Sequence, residues 1–345
     1  GGRTVLISGC IDTQKVHISS AIASGYKYML IVTSDEAKAR KMCDDASFFN
    51  KEAIYYPAKD AIFYSADVHG NQITGERLRC ISRIINHSST GEGVLTVVTT
   101  MDGIADRLIP VERFKEAVIT LDYSSEIEPE KLAKKLVAMG FVRTGMVEDK
   151  GQFAIRGGII DIFSYTDEAP VRIELWDTEV DSIRMFDVES QRSIERLQSY
   201  SIFPATEYIF TEDELKNGLY NIKKECDRQL ECFDYGKRKR TKEQIEAGNN
   251  LNKLVADVER TGNYEKFTDT IVADTVGLAE YFPEENTLVV LDEPNRLKEC
   301  NELTLYEYNE SMKNRLAAGY VLPSQTNKVK AMNEIISDLR NNKKL

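Results

Sequence analysis

The sequence is poor in the residues that build metal cages. It has three histidines (His17, His69, His87) and six scattered cysteines (Cys10, Cys43, Cys80, Cys226, Cys232, Cys300), with no C-x-x-C pair. A Cys/His zinc site is hard to assemble from that set, so no metal is expected. Unpatterned thiols fit a reducing compartment, and the expected location is the cytoplasm. No apolar run approaches bilayer length and no signal-peptide core opens the chain, which argues against a membrane role. Positive charge is in deficit, 45 Lys and Arg against 56 Asp and Glu for a net of −11. Such a balance argues against a surface that coats nucleic acid. The one dense basic run, "KRKR" at 237–240, offers a nucleic-acid contact as one reading, which the acidic balance disfavours, and a solvated turn between helices as the other. None of the histidines lies near a Ser or Cys nucleophile motif, and carboxylates are too abundant for any pair to stand out as an acid/base couple. What remains is a composition of 42% hydrophobic and 29% charged residues over 345 positions. That is ordinary for a globular chain of two or three domains. The opening Gly1-Gly2 without Met suggests a piece excised from something longer.

Along the chain the pattern changes twice. Residues 1–116 alternate helical stretches with short runs rich in β-branched residues: "TVLIS" (4–8), "YMLIVT" (28–33), "AIYY" (53–56) and "VLTVVTT" (94–100). These have the character of strands buried on both faces of a parallel sheet. A helix is expected from "SDEAKARKM", capped by Ser34. Residues 117–200 begin with a helix at 128–140, bracketed by Pro129 and Gly140. Strand-like runs follow at 151–163, 169–177 and 179–187, a small antiparallel α+β domain. Residues 201–345 are helix-rich. Thr211 and Glu214 form a capping box, followed by Leu215, Leu219, Ile222, Cys226, Leu230 and Phe233 at helical spacing. A buried-type strand, "NTLVVLDEP" (286–294), is best placed back in the first sheet, and a last helix is expected over about 326–341. The fold class is therefore α/β: a parallel-sheet domain split by an inserted small α+β domain with an antiparallel sheet.

The stretch "VLISGCIDTQKVH" (5–17) has the outline of a strand, turn and helix that cradles a nucleotide phosphate. A Walker A loop requires G-x-x-x-x-G-K-[ST], so that backbone N–H groups wrap the phosphates and a hydroxyl holds Mg²⁺. Here Gly9 stands without the second glycine, and Lys15 is followed by Val16. Asp292 and Glu293, after the strand "LVVL", sit where an acidic box belongs. Together Gly9, Lys15, Asp292 and Glu293 outline a degenerate nucleotide site with no cofactor expected.

The segment "VRIELWD" carries a second candidate site. At a strand period of two, Val171, Ile173 and Leu175 face the core, while Arg172, Glu174 and Trp176 face the other way. Trp and Arg are enriched at interface hot spots. The alternative is that Trp176 is covered by the helix at 128–140 or by a neighbouring domain, with Arg172 and Glu174 a cross-strand pair. Arg156 lies on an adjacent strand-like run, and Gly157-Gly158 would admit a close-approaching partner backbone.

"GQFAIRGGIIDIF", "PVRIELWDTEVDSIRMFDVESQRS" and "PATE" resemble the N-terminal module of the bacterial transcription-repair coupling factors (Mfd). "YYPAKDAIFY" (55–64) and "ERL" (76–78) resemble the first domain of the same family. The resemblance implies a module homologous to the helicase subunit UvrB that has lost its ATPase motifs, so that the parallel-sheet domain would be a degenerate helicase-like, P-loop or RecA-type domain. Its middle domain is expected to bind the damage-recognition ATPase UvrA through Arg156, Arg172, Glu174 and an aromatic at Trp176, a position often Phe in the family. Motor and polymerase-binding domains are expected beyond residue 345, so that contacts with RNA polymerase and DNA belong to parts absent here. The implied function is a non-catalytic adaptor within an ATP-dependent DNA translocase. The rival is a UvrB-type ATP-dependent DNA helicase subunit.

Overall fold

A computed structural model describes residues 5–50, 52–59, 68–234, 239–272 and 274–342. Its first elements are α1 (Asp12–Ala23), β1 (Tyr28–Thr33), α2 (Glu36–Ser47), β2 (Glu52–Tyr56), α3 (Val68–Thr90) and β3 (Leu95–Thr100). Then come α4 (Met101–Ile104), α5 (Val111–Ala117), β4 (Ile119–Asp122), α6 (Pro129–Ala138), β5 (Val142–Arg143), β6 (Gln152–Arg156) and β7 (Ile159–Phe163). Next are β8 (Val171–Trp176), β9 (Glu179–Phe186), β10 (Ser193–Arg196), β11 (Ser199–Ile202), α7 (Glu212–Asp234) and α8 (Lys242–Thr261). The last are α9 (Thr268–Ile271), β12 (Thr287–Leu291), α10 (Pro294–Ala317) and α11 (Met332–Asn342). The described residues fall into two compact units, one drawn from 1–65, 92–109 and 210–345, the other from 66–91 and 110–209.

The first unit holds a four-stranded parallel sheet of order β12-β1-β3-β2. Every residue of β1 and β3 is buried, as expected of parallel strands covered on both faces. Val16 and Ala23 of α1 and Ala39, Met42 and Ala46 of α2 pack on Met29, Ile31 and Val98. A second cluster joins Ile222 and Cys226 of α7 to Leu251 and Val258 of α8, on the expected helical stripe. The Thr211–Glu214 capping box is made in both directions, at 2.9 and 3.2 Å. Because β12 returns to pair with β1, the α/β sheet is interrupted in sequence by the antiparallel unit.

Three local expectations need correction. Residues 5–8 form no strand: Val5, Leu6 and Ile7 are 74%, 85% and 50% exposed. A β-branched run becomes a strand only when it finds a ladder partner, and this one finds none among the described residues. The cap of α2 is Asp35, whose carboxylate accepts from the Lys38 backbone N–H, while Ser34 donates to that carboxylate. The last helix starts at Met332 rather than near 326. Lys330 donates its backbone N–H to the Ala105 carbonyl at 2.8 Å and its Nζ to Asp338 at 2.7 Å, which fixes the preceding segment outside a helix. Residues 60–64 of "YYPAKDAIFY", and Lys237 and Arg238 of "KRKR", lie outside the described residues.

The second unit is built on a six-stranded sheet of order β10-β9-β8-β7-β6-β5, antiparallel apart from the short β5–β6 pair. One face buries Phe153, Ile160, Ile162, Val171, Ile173 and Ile183 against Leu132, Ala133 and Leu136 of α6. That helix has Pro129 in its first turn and is followed by Gly140 at φ +87°. A further pair, β11-β4, completes the unit.

Candidate functional site

The outer face of the six-stranded sheet carries the charged residues. The alternation in β8 holds: Val171 and Ile173 are buried, Arg172 and Glu174 are half-buried, and Trp176 is 80% exposed. An extra residue on β9, Asp181, shifts the register beyond Glu174 without disturbing that alternation. β8 turns into β9 through Asp177 at φ +59°, a conformation Asp tolerates.

β6, which carries Arg156, does not adjoin β8. β7 lies between them, and it supplies the residue that unites the face. Asp161, 1% exposed, sits opposite Arg172 in the ladder. It accepts Arg172 Nε at 2.6 Å, Arg172 Nη2 at 2.8 Å and Arg156 Nη2 at 2.6 Å. Arg172 also donates to Gln191 Oε1 at 2.8 Å and lies 4.2 Å above the Phe186 ring. Glu174 pairs with Arg184 and accepts from Ser182 Oγ at 2.8 Å. Arg172 and Glu174 therefore each have a different partner, not one another. Arg156 keeps 43% of its side chain in solvent and Arg172 12%. Gly158 is explained by its own fold, because a Cβ there would meet the Leu175 carbonyl oxygen at 2.9 Å.

Asp161, Arg184 and Gln191 were missed in the sequence. The available signal was an acid inside the apolar run "GIIDIF", which has to find a cationic partner if buried.

Of the residues expected to outline a degenerate nucleotide site, Lys15, Asp292 and Glu293 meet in the structure. Gly9 has φ +81°, and nothing approaches the position its Cβ would take. Lys15 on α1 donates Nζ to Asp292 at 2.9 Å and to Glu293 at 3.1 Å. Lys38 on α2, not foreseen from the sequence, reaches the other Asp292 oxygen at 2.6 Å. Thr33 Oγ1, at the end of β1, donates to that oxygen at 2.9 Å. Lys15 and Lys38 are thus both engaged by Asp292 and Glu293. Glu293 adopts φ +55° as it starts α10, an uncommon conformation for a residue with a side chain.

Burial alone would raise the Asp292 pKa, but hydrogen bonds from Lys38, Lys15 and Thr33 outweigh it and hold the carboxyl below its usual value. A carboxyl with a lowered folded pKa contributes stability above its unfolded value, about pH 4, and that contribution is lost as pH falls through the folded value. Asp292→Asn is expected to cost about 2 kcal/mol at neutral pH, the scale of hydrogen bonds to charged groups. It should also flatten the acid limb of a stability–pH curve below about pH 4. Urea midpoints from pH 3 to 7 check this. Parallel curves for the two proteins would contradict it.

Among the described residues no group of His, Cys, Asp and Glu is placed to hold a metal ion, and no helix is long and apolar enough to cross a membrane.

The geometry defines a class first: a helicase-like α/β scaffold interrupted by a charged-face, antiparallel module. Residues 119–208, which contain that face, match the UvrB interaction domain. The whole chain is similar to transcription-repair-coupling factors, in keeping with the resemblance seen in its sequence. It is 33% identical over 334 residues to that of Bacillus subtilis (strain 168), covering 93% of this chain and 27% of the relative. It is 31% identical over 322 residues to that of Staphylococcus epidermidis, and 30% identical over 325 residues to that of Staphylococcus haemolyticus; each alignment covers 92% of this chain and 27% of the relative. The chain thus spans about a quarter of the length of the relatives it matches.

Proposed function

We propose that this chain is a non-catalytic adaptor that recruits UvrA, acting within a longer ATP-dependent DNA translocase that couples stalled RNA polymerase to excision repair. The carrying observation is an exposed Trp176 on the strand that also carries Arg172 of the Arg156–Asp161–Arg172 cluster, inside a UvrB interaction domain. Segment 117–200 would be the binding module, with 1–116 and 201–345 as its scaffold. Arg156, Arg172, Glu174 and Trp176 form the contact, with RNA polymerase and DNA engaged elsewhere in the longer protein and the cytoplasm as the location. The lack of catalysis is supported by the engagement of Lys15 with Asp292 and Glu293, which leaves no free cation for a phosphate at that lysine.

Trp176→Ala removes no core packing, so its melting temperature should stay within about 1 °C of the wild type. At a desolvated hot spot the same change costs about 2 kcal/mol of binding, roughly a thirtyfold weakening. Titration of purified UvrA against both proteins, paired with melting curves, tests the reading. Unchanged affinity would place the contact elsewhere.

A further inference from the structure

The outer face of the six-stranded sheet carries a lateral row of three arginines, of which only Arg172 belongs to the contact proposed above. Arg172 of β8 stands opposite Arg184 of β9, and Arg184 stands opposite Arg196 of β10. Residues directly opposed in a ladder share a face of the sheet. Leu197 fixes the phase at the edge strand, since it packs on the buried side with Ile183 and donates its N–H to the Ile183 carbonyl.

Like charges directly opposite one another destabilise a sheet. Asp161 neutralises Arg172, and Glu174 neutralises Arg184. Arg196 is exposed and forms no ion pair among the described residues, although its cross-strand neighbour is itself a cation. The row therefore ends in one uncompensated charge, and a carboxylate set between Arg184 and Arg196 would neutralise it. Arg184 keeps 28% of its side chain in solvent and is open to such a group. Guanidinium forks match a carboxylate in shape as well as in charge.

Granting the adaptor function, on which the inference rests, we propose that Arg196 and Arg184 receive a carboxylate side chain of UvrA, so that the contact extends across the sheet to its edge strand. Arg156 on β6 and Arg196 on β10 lie four strands apart, about 19 Å at the usual strand spacing. That is within the span of one interface of ordinary size. The match of residues 119–208 to an interaction domain supports a protein partner independently of charge, and β10 lies inside it. A polypeptide also fits this face better than nucleic acid. Asp161, Glu174 and Glu179 stand on it among the arginines, and an unbroken line of phosphates would meet them. A protein surface can set a carboxylate at Arg196 and donors opposite the acids.

The test is a titration of UvrA with the whole chain and its variants, run beside melting curves. Arg196→Gln should weaken binding about tenfold and flatten its dependence on salt, with no loss of thermal stability. Arg196→Glu sets opposite charges across the ladder, so its melting temperature should rise by about 1–3 °C. Its binding should nevertheless fall about thirtyfold or more. A purely structural role for Arg196 would lower the melting temperature of both variants, and that result overturns the proposal. Trp176→Ala separates this contact from the adaptor function itself. If the wild-type chain does not bind UvrA, both fall. If Trp176→Ala weakens binding and Arg196→Gln leaves it unchanged, the carboxylate contact alone is overturned. Arg196→Gln that loses binding to duplex DNA and keeps its affinity for UvrA would assign the row to phosphate and overturn it as well.

Discussion

Glu207→Ala is expected to destabilise the antiparallel unit by about 3 kcal/mol, the cost of removing one partner from a buried ion pair. Glu207 is 3% exposed and Arg77 is fully buried. They meet through two hydrogen bonds, Nε to Oε1 at 2.8 Å and Nη2 to Oε2 at 3.0 Å. This bidentate arrangement is the strong form of an Arg–carboxylate pair. It closes a separation of 130 residues and fastens α3 to the segment after β11. Without the carboxylate a guanidinium stays desolvated and loses two acceptors, a penalty that side-chain relaxation offsets poorly. Arg77→Met/Glu207→Leu should recover most of the loss, because a buried pair exchanged for apolar side chains of similar volume is often close to neutral. Urea unfolding of the two variants and the wild type decides the matter. A loss below about 1 kcal/mol for Glu207→Ala would mean that Arg77 is adequately solvated without it.

That pair marks the boundary of what the sequence reveals. Arg77 belongs to "ERL" and Glu207 ends "PATE", two fragments of the family resemblance with nothing in their own composition to connect them. The strands of the antiparallel unit were legible because one face of each is buried, which imposes a period of two, and because short polar turns punctuate them. β1, β3 and β12 were legible as continuous apolar runs, and the return of β12 to the first sheet followed from its character. Val5 to Ser8 has the same character and is not a strand, because propensity cannot supply a partner. Nothing in the sequence around Lys38 sets it apart from the other cations of its helix. Its contact with Asp292 depends on α2 packing beside the end of β12, a tertiary fact that no local pattern encodes. In the same way Arg156 could be placed on a strand-like run near that of Arg172, but the carboxylate they share could not. Its position depends on β7 lying between their strands and on Asp161 standing opposite Arg172.

Removing that carboxylate has the second large consequence. Asp161→Ala is expected to cost about 3 kcal/mol of stability, because it leaves Arg172 with most of its side chain buried and without its ionic partner. Asp161→Asn keeps the volume and one acceptor oxygen, so its stability loss should be nearer 1 kcal/mol. The neutral amide no longer holds two guanidiniums in fixed geometry, and UvrA affinity is expected to fall about tenfold although Asp161 itself is almost inaccessible. Arg156→Ala provides the contrast. Its side chain is 43% exposed, so stability should change little while binding falls. Arg172→Ala is not a clean interface probe, because it leaves the buried Asp161 with only Arg156 among its two arginine partners and damages fold and contact together. Melting curves and UvrA titrations on the four variants separate these effects. The expected order of stability is Arg156→Ala first, then Asp161→Asn, with Arg172→Ala and Asp161→Ala lowest. If Asp161→Asn binds UvrA as tightly as the wild type, the arginines are oriented by the partner rather than by the carboxylate beneath them.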